Sequence, residues 1–202
     1  MNRLKELVIK RQAWLFPILD VSLNVVNYLI HIFLSWYLFS EDYGVLSALL
    51  ALLAILMVCG ISFQIYVADK VSEKIWKKTD LEEIFSLGII VSLVIVLSMF
   101  FMTFFLKQLL RCNVISILIV SLIFSFNLMT SIQRGVMQGN KNFLKLNMSF
   151  YIEVGIRLVI TIILMKIYSH YDMALLAILI GMMASYVYGY YSVLKLKKAE
   201  QL

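Results

Sequence analysis

The stretch IFSLGIIVSLVIVLSMFFMTFFL, residues 84 to 106, contains no charged residue and no proline, and it decides the fold class. It is far longer than the four to eight residues of a strand and shows no alternation of polar and apolar positions, so it reads as a helix. A membrane-spanning helix needs about 20 predominantly apolar residues, which this run supplies. Comparable runs lie near 13 to 39, 44 to 67, 113 to 133, 147 to 166 and 172 to 194. Six spans result, predicting an all-α polytopic membrane protein in which residues 1 to 202 form a single six-helix transmembrane lobe. The first run is long enough to tilt, or to begin as an interfacial turn at Pro17.

Composition leads to the same class. The 202 residues are 62% hydrophobic and 15% charged, with mean hydropathy +0.93, whereas a soluble domain keeps about 25% charged residues. In lipid only helices and closed barrels satisfy their backbone. Barrel strands alternate in polarity, and Ile89-Ile90-Val91 and Ile117-Leu118-Ile119-Val120 do not. Cys59 and Cys112 are too few and too differently placed for a disulfide framework or metal site. The net charge of +6 comes from short clusters between apolar runs, the pattern of orientation signals rather than of nucleic-acid binding. The first run follows Arg3, Lys5, Lys10 and Arg11 as in a signal peptide. It continues without a small-residue cleavage site, so it is expected to stay as an anchor.

Lys and Arg resist translocation, so the connections richer in them belong in the cytoplasm. The N-terminus, the 68 to 83 loop, the 134 to 146 loop and the C-terminal tail hold fourteen of the 18 bases. The alternate connections hold Lys107, Arg111 and Lys166, and Arg157 lies inside a span. Both termini are therefore expected in the cytoplasm. Trp36, Tyr37, Tyr43, Tyr168 and Tyr171 fit an outer aromatic belt, and Trp14, Tyr66, Tyr190 and Tyr191 an inner one.

The first span carries Asp20, Asn24, Asn27, His31 and Ser35 at helical spacing, so all five share one face. Exposing that face to hydrocarbon is costly, about 2.5 to 3.5 kcal/mol for a central Asp alone. It faces either a dry interhelical hydrogen-bond seam or a water-filled cavity. Its extent across nearly the whole membrane, with two titratable groups, predicts the cavity. In the fifth span Glu153 and Arg157 are four residues apart and can pair, with Thr161 continuing their face. At about 1.5 Å per residue Arg157 lies roughly 15 Å deep and Asp20 about 10 Å, so these two can also meet. The group is either a structural ion pair or a substrate or coupling-ion site. Asn127, Ser131 and Arg134 end the fourth span at helical spacing. Arg134 is most simply a snorkelling, topology-fixing base, and alternatively a guide for an anionic headgroup. Gly181, Ser185 and Gly189 permit close helix approach and read as packing.

No Gly-rich phosphate loop, metal-spaced His or Cys set, or nucleophile beside a base is present, so neither enzymatic activity nor a cofactor is expected.

A short acidic and aromatic turn follows the first span, Leu38-Phe39-Ser40-Glu41-Asp42-Tyr43-Gly44. After it come Leu46-Ser47-Ala48-Leu49-Leu50, Cys59-Gly60 and Val67-Ala68-Asp69-Lys70-Val71-Ser72-Glu73. Further on stand Arg134-Gly135-Val136-Met137-Gln138-Gly139-Asn140-Lys141-Asn142-Phe143, then Glu153 with Arg157-Leu158. This pattern resembles bacterial oligosaccharide flippases of the polysaccharide transport type, in the superfamily that also contains multidrug exporters. The resemblance implies an inner-membrane lobe around a central cavity, translocating a lipid-linked oligosaccharide for cell-surface polysaccharide by alternating access. Asp20, Asn24, Asn27, His31, Arg134, Glu153 and Arg157, singled out above by their spacing and polarity, are the candidates for that cavity. Family members have two similarly oriented lobes and this chain has the spans of one, so a second lobe or second copy is the implied partner. Asp20, Glu153 and Arg157 together carry one negative charge, which suits a coupling cation, H+ or Na+. A cation-coupled multidrug exporter lobe is therefore the second reading, and a non-transporting membrane scaffold the third.

Overall fold

The computed structural model describes the backbone of residues 2–73 and 78–200, and the side chains of residues 19, 21–73 and 83–196. These residues form six helices: α1 (Asn2–Tyr37), α2 (Ser40–Ser72), α3 (Lys78–Leu110), α4 (Val114–Gly139), α5 (Phe143–Ile167) and α6 (Tyr171–Glu200). Helices α2 to α6 are each long and apolar enough to cross a bilayer, and in α1 the apolar part with described side chains is Val21–Tyr37. The chain is a multi-pass helical membrane protein.

The turns follow from local chemistry. Phe39 is extended, with φ −62° and ψ 154°, and Glu41 and Asp42 in the first turn of α2 complement its positive dipole end. Arg111 and Lys141 take φ of 50° and 56°, the left-handed conformation that ends a helix abruptly. The Asn142 side chain accepts from the Lys145 backbone N–H and caps α5. Helices run beyond the apolar stretches at the basic end, because apolar residues mark only the hydrocarbon layer and no proline interrupts the helix there. Arg134 and Gly135, expected to open a connection, instead lie inside α4. Pro17 makes no interfacial turn, since α1 is continuous through it.

Helix α4 is the axis of the bundle, with α2, α3 and α6 packed around it; α5 packs on α6, and α1 chiefly on α5. Glycines set the α2–α4 distance. A Cβ at Gly135 would meet the Gln64 carbonyl at 2.6 Å, and one at Gly139 the Ala68 carbonyl at 2.7 Å, so the two backbones touch. Leu34 of α1 and Leu38 of the turn after it join Leu46 and Leu49 of α2, Ile117 of α4 and Leu175 of α6 in an apolar cluster at the end bearing the α1–α2 turn. A second cluster, around Val67, Ile132, Met137, Leu146 and Val193, draws no described residue from α1. Helices α1 and α2 are thus joined by a tight turn yet hardly touch below it. The space between them is a cavity.

Candidate functional site

The cavity has a volume of about 660 Å³ and lies between α1 and α5 on one side and α2 and α4 on the other. That is the size of a small-molecule site. Its walls differ in chemistry. Asn24, Asn27 and His31 of α1 line it, facing Asn127, Ser131, Arg134 and Gln138 of α4. Glu153 and Arg157 of α5 lie on the same polar side. The α2 wall is apolar, with Leu53, Met57, Ile61 and Ile65, and Gln64 is its polar exception. Asn24, Ala54, Ile61 and Ile65 line the cavity and are also exposed, so the gap between α1 and α2 is its mouth.

Arg134 is not a snorkelling interfacial base. It is 4% exposed and ties three helices together. Its Nε donates to Ser149 Oγ at 3.0 Å, and its Nη2 to Ser185 Oγ at 3.0 Å and to Glu153 Oε2 at 2.5 Å. Its guanidinium carbon sits 3.8 Å over the Phe150 ring, and Ser185 Oγ donates to the Ser149 carbonyl. A snorkelling base needs a path to water; this one instead exchanges hydration for a carboxylate, two hydroxyls and an aromatic face. Ser185, read as packing from sequence, accepts one of those bonds.

Glu153 therefore pairs with Arg134 rather than with Arg157, its neighbour one turn along α5. Among the described residues Arg157 makes no salt bridge. Its Nη1 donates to Asn27 Oδ1 at 3.4 Å, and its buried Nε has no partner. Behind it α6 approaches at Gly181, where a Cβ would meet Arg157 Cβ at 3.2 Å and the Glu153 carbonyl at 2.7 Å. Arg157 lines the cavity, and its Nη1 reaches Asn27 of α1, which lines it too. Asn127 Oδ1 also lacks a partner, and lies against Gly60, where any larger side chain would displace it. A polar group left unpartnered in hydrocarbon costs several kcal/mol. The two residues line the cavity from different helices, Arg157 from α5 and Asn127 from α4.

Four of the five stripe positions on α1 separate as follows: Asn24, Asn27 and His31 border the cavity, whereas Ser35 is exposed and donates to the Ile32 carbonyl. The Asp20 side chain lies outside the described residues. Thr161 is buried but does not line the cavity. Gln138 extends the Asn127, Ser131, Arg134 series by one more turn, a periodicity visible in sequence. Gln64 is a lone amide in an apolar run, and Ser149 shares no sequence pattern with Arg134. Gln64 Nε2 donates to Gln138 Oε1 at 2.9 Å, closing the basic end of the cavity floor. Among the described residues no group of three or more His, Cys, Asp or Glu is placed to hold a metal ion.

No protein-family model matches the chain, and no curated protein or solved structure matches it.

Proposed function

We propose that this chain is one lobe of a flippase of the bacterial inner membrane. Its substrate is a lipid-linked oligosaccharide intermediate of cell-surface polysaccharide, turned over by alternating access. The observation that carries this reading is Arg157, a cation lining a membrane-embedded cavity with no carboxylate in salt-bridge reach among the described residues. An anion placed there would gain charge-assisted hydrogen bonds in a low-dielectric site. The charge tally that favours a coupling cation from sequence omits Arg134; with Arg134 buried against Glu153, that carboxylate is already neutralised. The two-faced cavity supports the same substrate class, since amides and hydroxyls suit sugar and diphosphate while the α2 wall suits a prenyl chain. The mouth between α1 and α2 is where a second lobe or second copy would supply the opposing wall, because rocking of one repeat against another alternates the access.

A cation-coupled exporter would instead use Glu153, the one carboxylate lining the cavity among the described residues. It would bind cationic amphiphiles, and Arg157→Gln would strengthen that binding.

The test is binding of a short-chain prenyl-diphosphate-linked sugar to the protein in lipid nanodiscs. Arg157→Gln is expected to weaken it at least about tenfold, the effect of about 1.4 kcal/mol, and Arg157→Lys by less. Unchanged affinity in Arg157→Gln refutes the reading.

A further inference from the structure

We infer that the cavity takes up one proton, at Glu153, each time it binds a doubly charged diphosphate diester. This rests on the anionic reading of the cavity and deepens it. The charged or titratable side chains that line the cavity among the described residues are Arg134 of α4, Glu153 and Arg157 of α5, and His31 of α1; α2 and α6 contribute none. With His31 neutral, these carry two positive charges and one negative, a net of one positive. A diphosphate diester brings two negative charges and no group that titrates near neutral pH. On these four groups alone, binding would leave one negative charge uncompensated in a site flanked by hydrocarbon, where charge imbalance is most costly.

Glu153 is the group placed to remove the imbalance. It is the carboxylate on the wall, its side chain 15% exposed, and it competes with an incoming phosphate for the same guanidinium. Protonating it turns Oε2 from a charged acceptor into a neutral carboxyl and frees the charge of Arg134 for the anion. The guanidinium itself would not drift, because Ser149 and Ser185 hold it at 3.0 Å each and Phe150 lies under it. The cavity thus passes from one unpaired cation to two, and two cations match the diester. The proton comes from water through the cavity, and no bond other than O–H forms or breaks.

Linkage makes the coupling reciprocal: an anion that draws a proton to Glu153 is itself bound more tightly as pH falls. With one proton taken up, affinity rises about tenfold per unit fall in pH across the range where free Glu153 is ionised. The experiment measures the Kd of a short-chain prenyl-diphosphate-linked sugar across pH in nanodiscs. Calorimetry in two buffers of different ionisation enthalpy then counts protons. The wild-type protein is expected to show the tenfold slope and uptake of about one proton per ligand. Glu153→Gln, whose amide still accepts from Arg134, is expected to bind with a flat profile and no uptake. The wild-type proton count needs no variant, so it decides the matter even if Glu153→Gln folds poorly. A flat wild-type profile with measurable binding overturns the proton linkage alone. A slope retained in Glu153→Gln and lost in Asp20→Asn or His31→Gln overturns the assignment to Glu153. Failure of the wild-type protein to bind the diester at any pH overturns the anionic reading together with this inference.

Discussion

Replacing Arg134 by Met removes the group that holds α4, α5 and α6 together at the basic half of the bundle. The loss can be apportioned from the structure. Arg134 makes one ion pair and two hydroxyl hydrogen bonds, and lies over Phe150. Hydrogen bonds between membrane helices contribute only about 0.6 kcal/mol each. Most of the cost therefore comes from Glu153, left charged with no partner. Breaking a buried pair in this way costs about 3 to 5 kcal/mol, and the side chain's contact with the cavity places the expectation near 3 kcal/mol. Removing both charges, with Arg134→Met and Glu153→Met together, leaves no orphan ion and should recover about 2 kcal/mol of that loss. The assay is reversible denaturation in mixed micelles for the wild type, both single variants and the double variant. A loss below about 1 kcal/mol for Arg134→Met, or a double variant no more stable than Arg134→Met, would refute the assignment of Arg134 as a structural tie neutralised by Glu153.

Arg157→Gln should leave stability within about 0.5 kcal/mol of wild type or raise it, since it removes a buried group without a full set of partners; the same denaturation assay measures this. Gly135→Leu should destabilise the bundle by about 1 to 3 kcal/mol, because its side chain would press on the Gln64 carbonyl and Val67. Burial pushes the Cys112 thiol above its usual range, so it should react slowly with a membrane-impermeant maleimide at neutral pH and faster as pH rises, as the thiolate forms. For the topology, cysteines introduced in the 40 to 43 and 166 to 171 turns should label from outside, and one at Lys141 should not. The reverse pattern would invert the orientation.

The helices were legible because each span carries its own signal: an uncharged run such as residues 84 to 106 must be a helix in lipid whatever surrounds it. The α1 stripe could be read for the same reason, since Asn24, Asn27 and His31 repeat on one helix and periodicity needs no partner. Pairing could not be read in this way. Glu153 and Arg157 have the spacing of an intrahelical pair, yet Glu153 turns to Arg134, nineteen positions earlier. That choice depends on how α4 docks against α5 and α6. Gly135 with Gly139, and Ser185 with Gly181 and Gly189, have the four-residue spacing of close helix approach, but that spacing names neither the helix that approaches nor the guanidinium that Ser149 and Ser185 receive. The apolar α2 wall is invisible for another reason, because Leu53, Met57, Ile61 and Ile65 look like any lipid-facing residues until a cavity forms beside them.

The central claim is that this cavity is aqueous within the membrane and receives an anion at Arg157. Its most direct test places a single cysteine at Asn27, which accepts from Arg157, in protein lacking Cys59 and Cys112. A second cysteine at Val159, exposed on the outer side of α5, serves as the lipid-facing control. The protein is reconstituted in lipid and treated with a small charged thiol reagent, with and without a prenyl-diphosphate-linked sugar. Asn27→Cys should label, Val159→Cys should not, and the sugar diphosphate should protect Asn27→Cys in the presence of Arg157 but not in Arg157→Gln. An Asn27→Cys that stays unlabelled, or that labels equally with and without the ligand, would contradict the account.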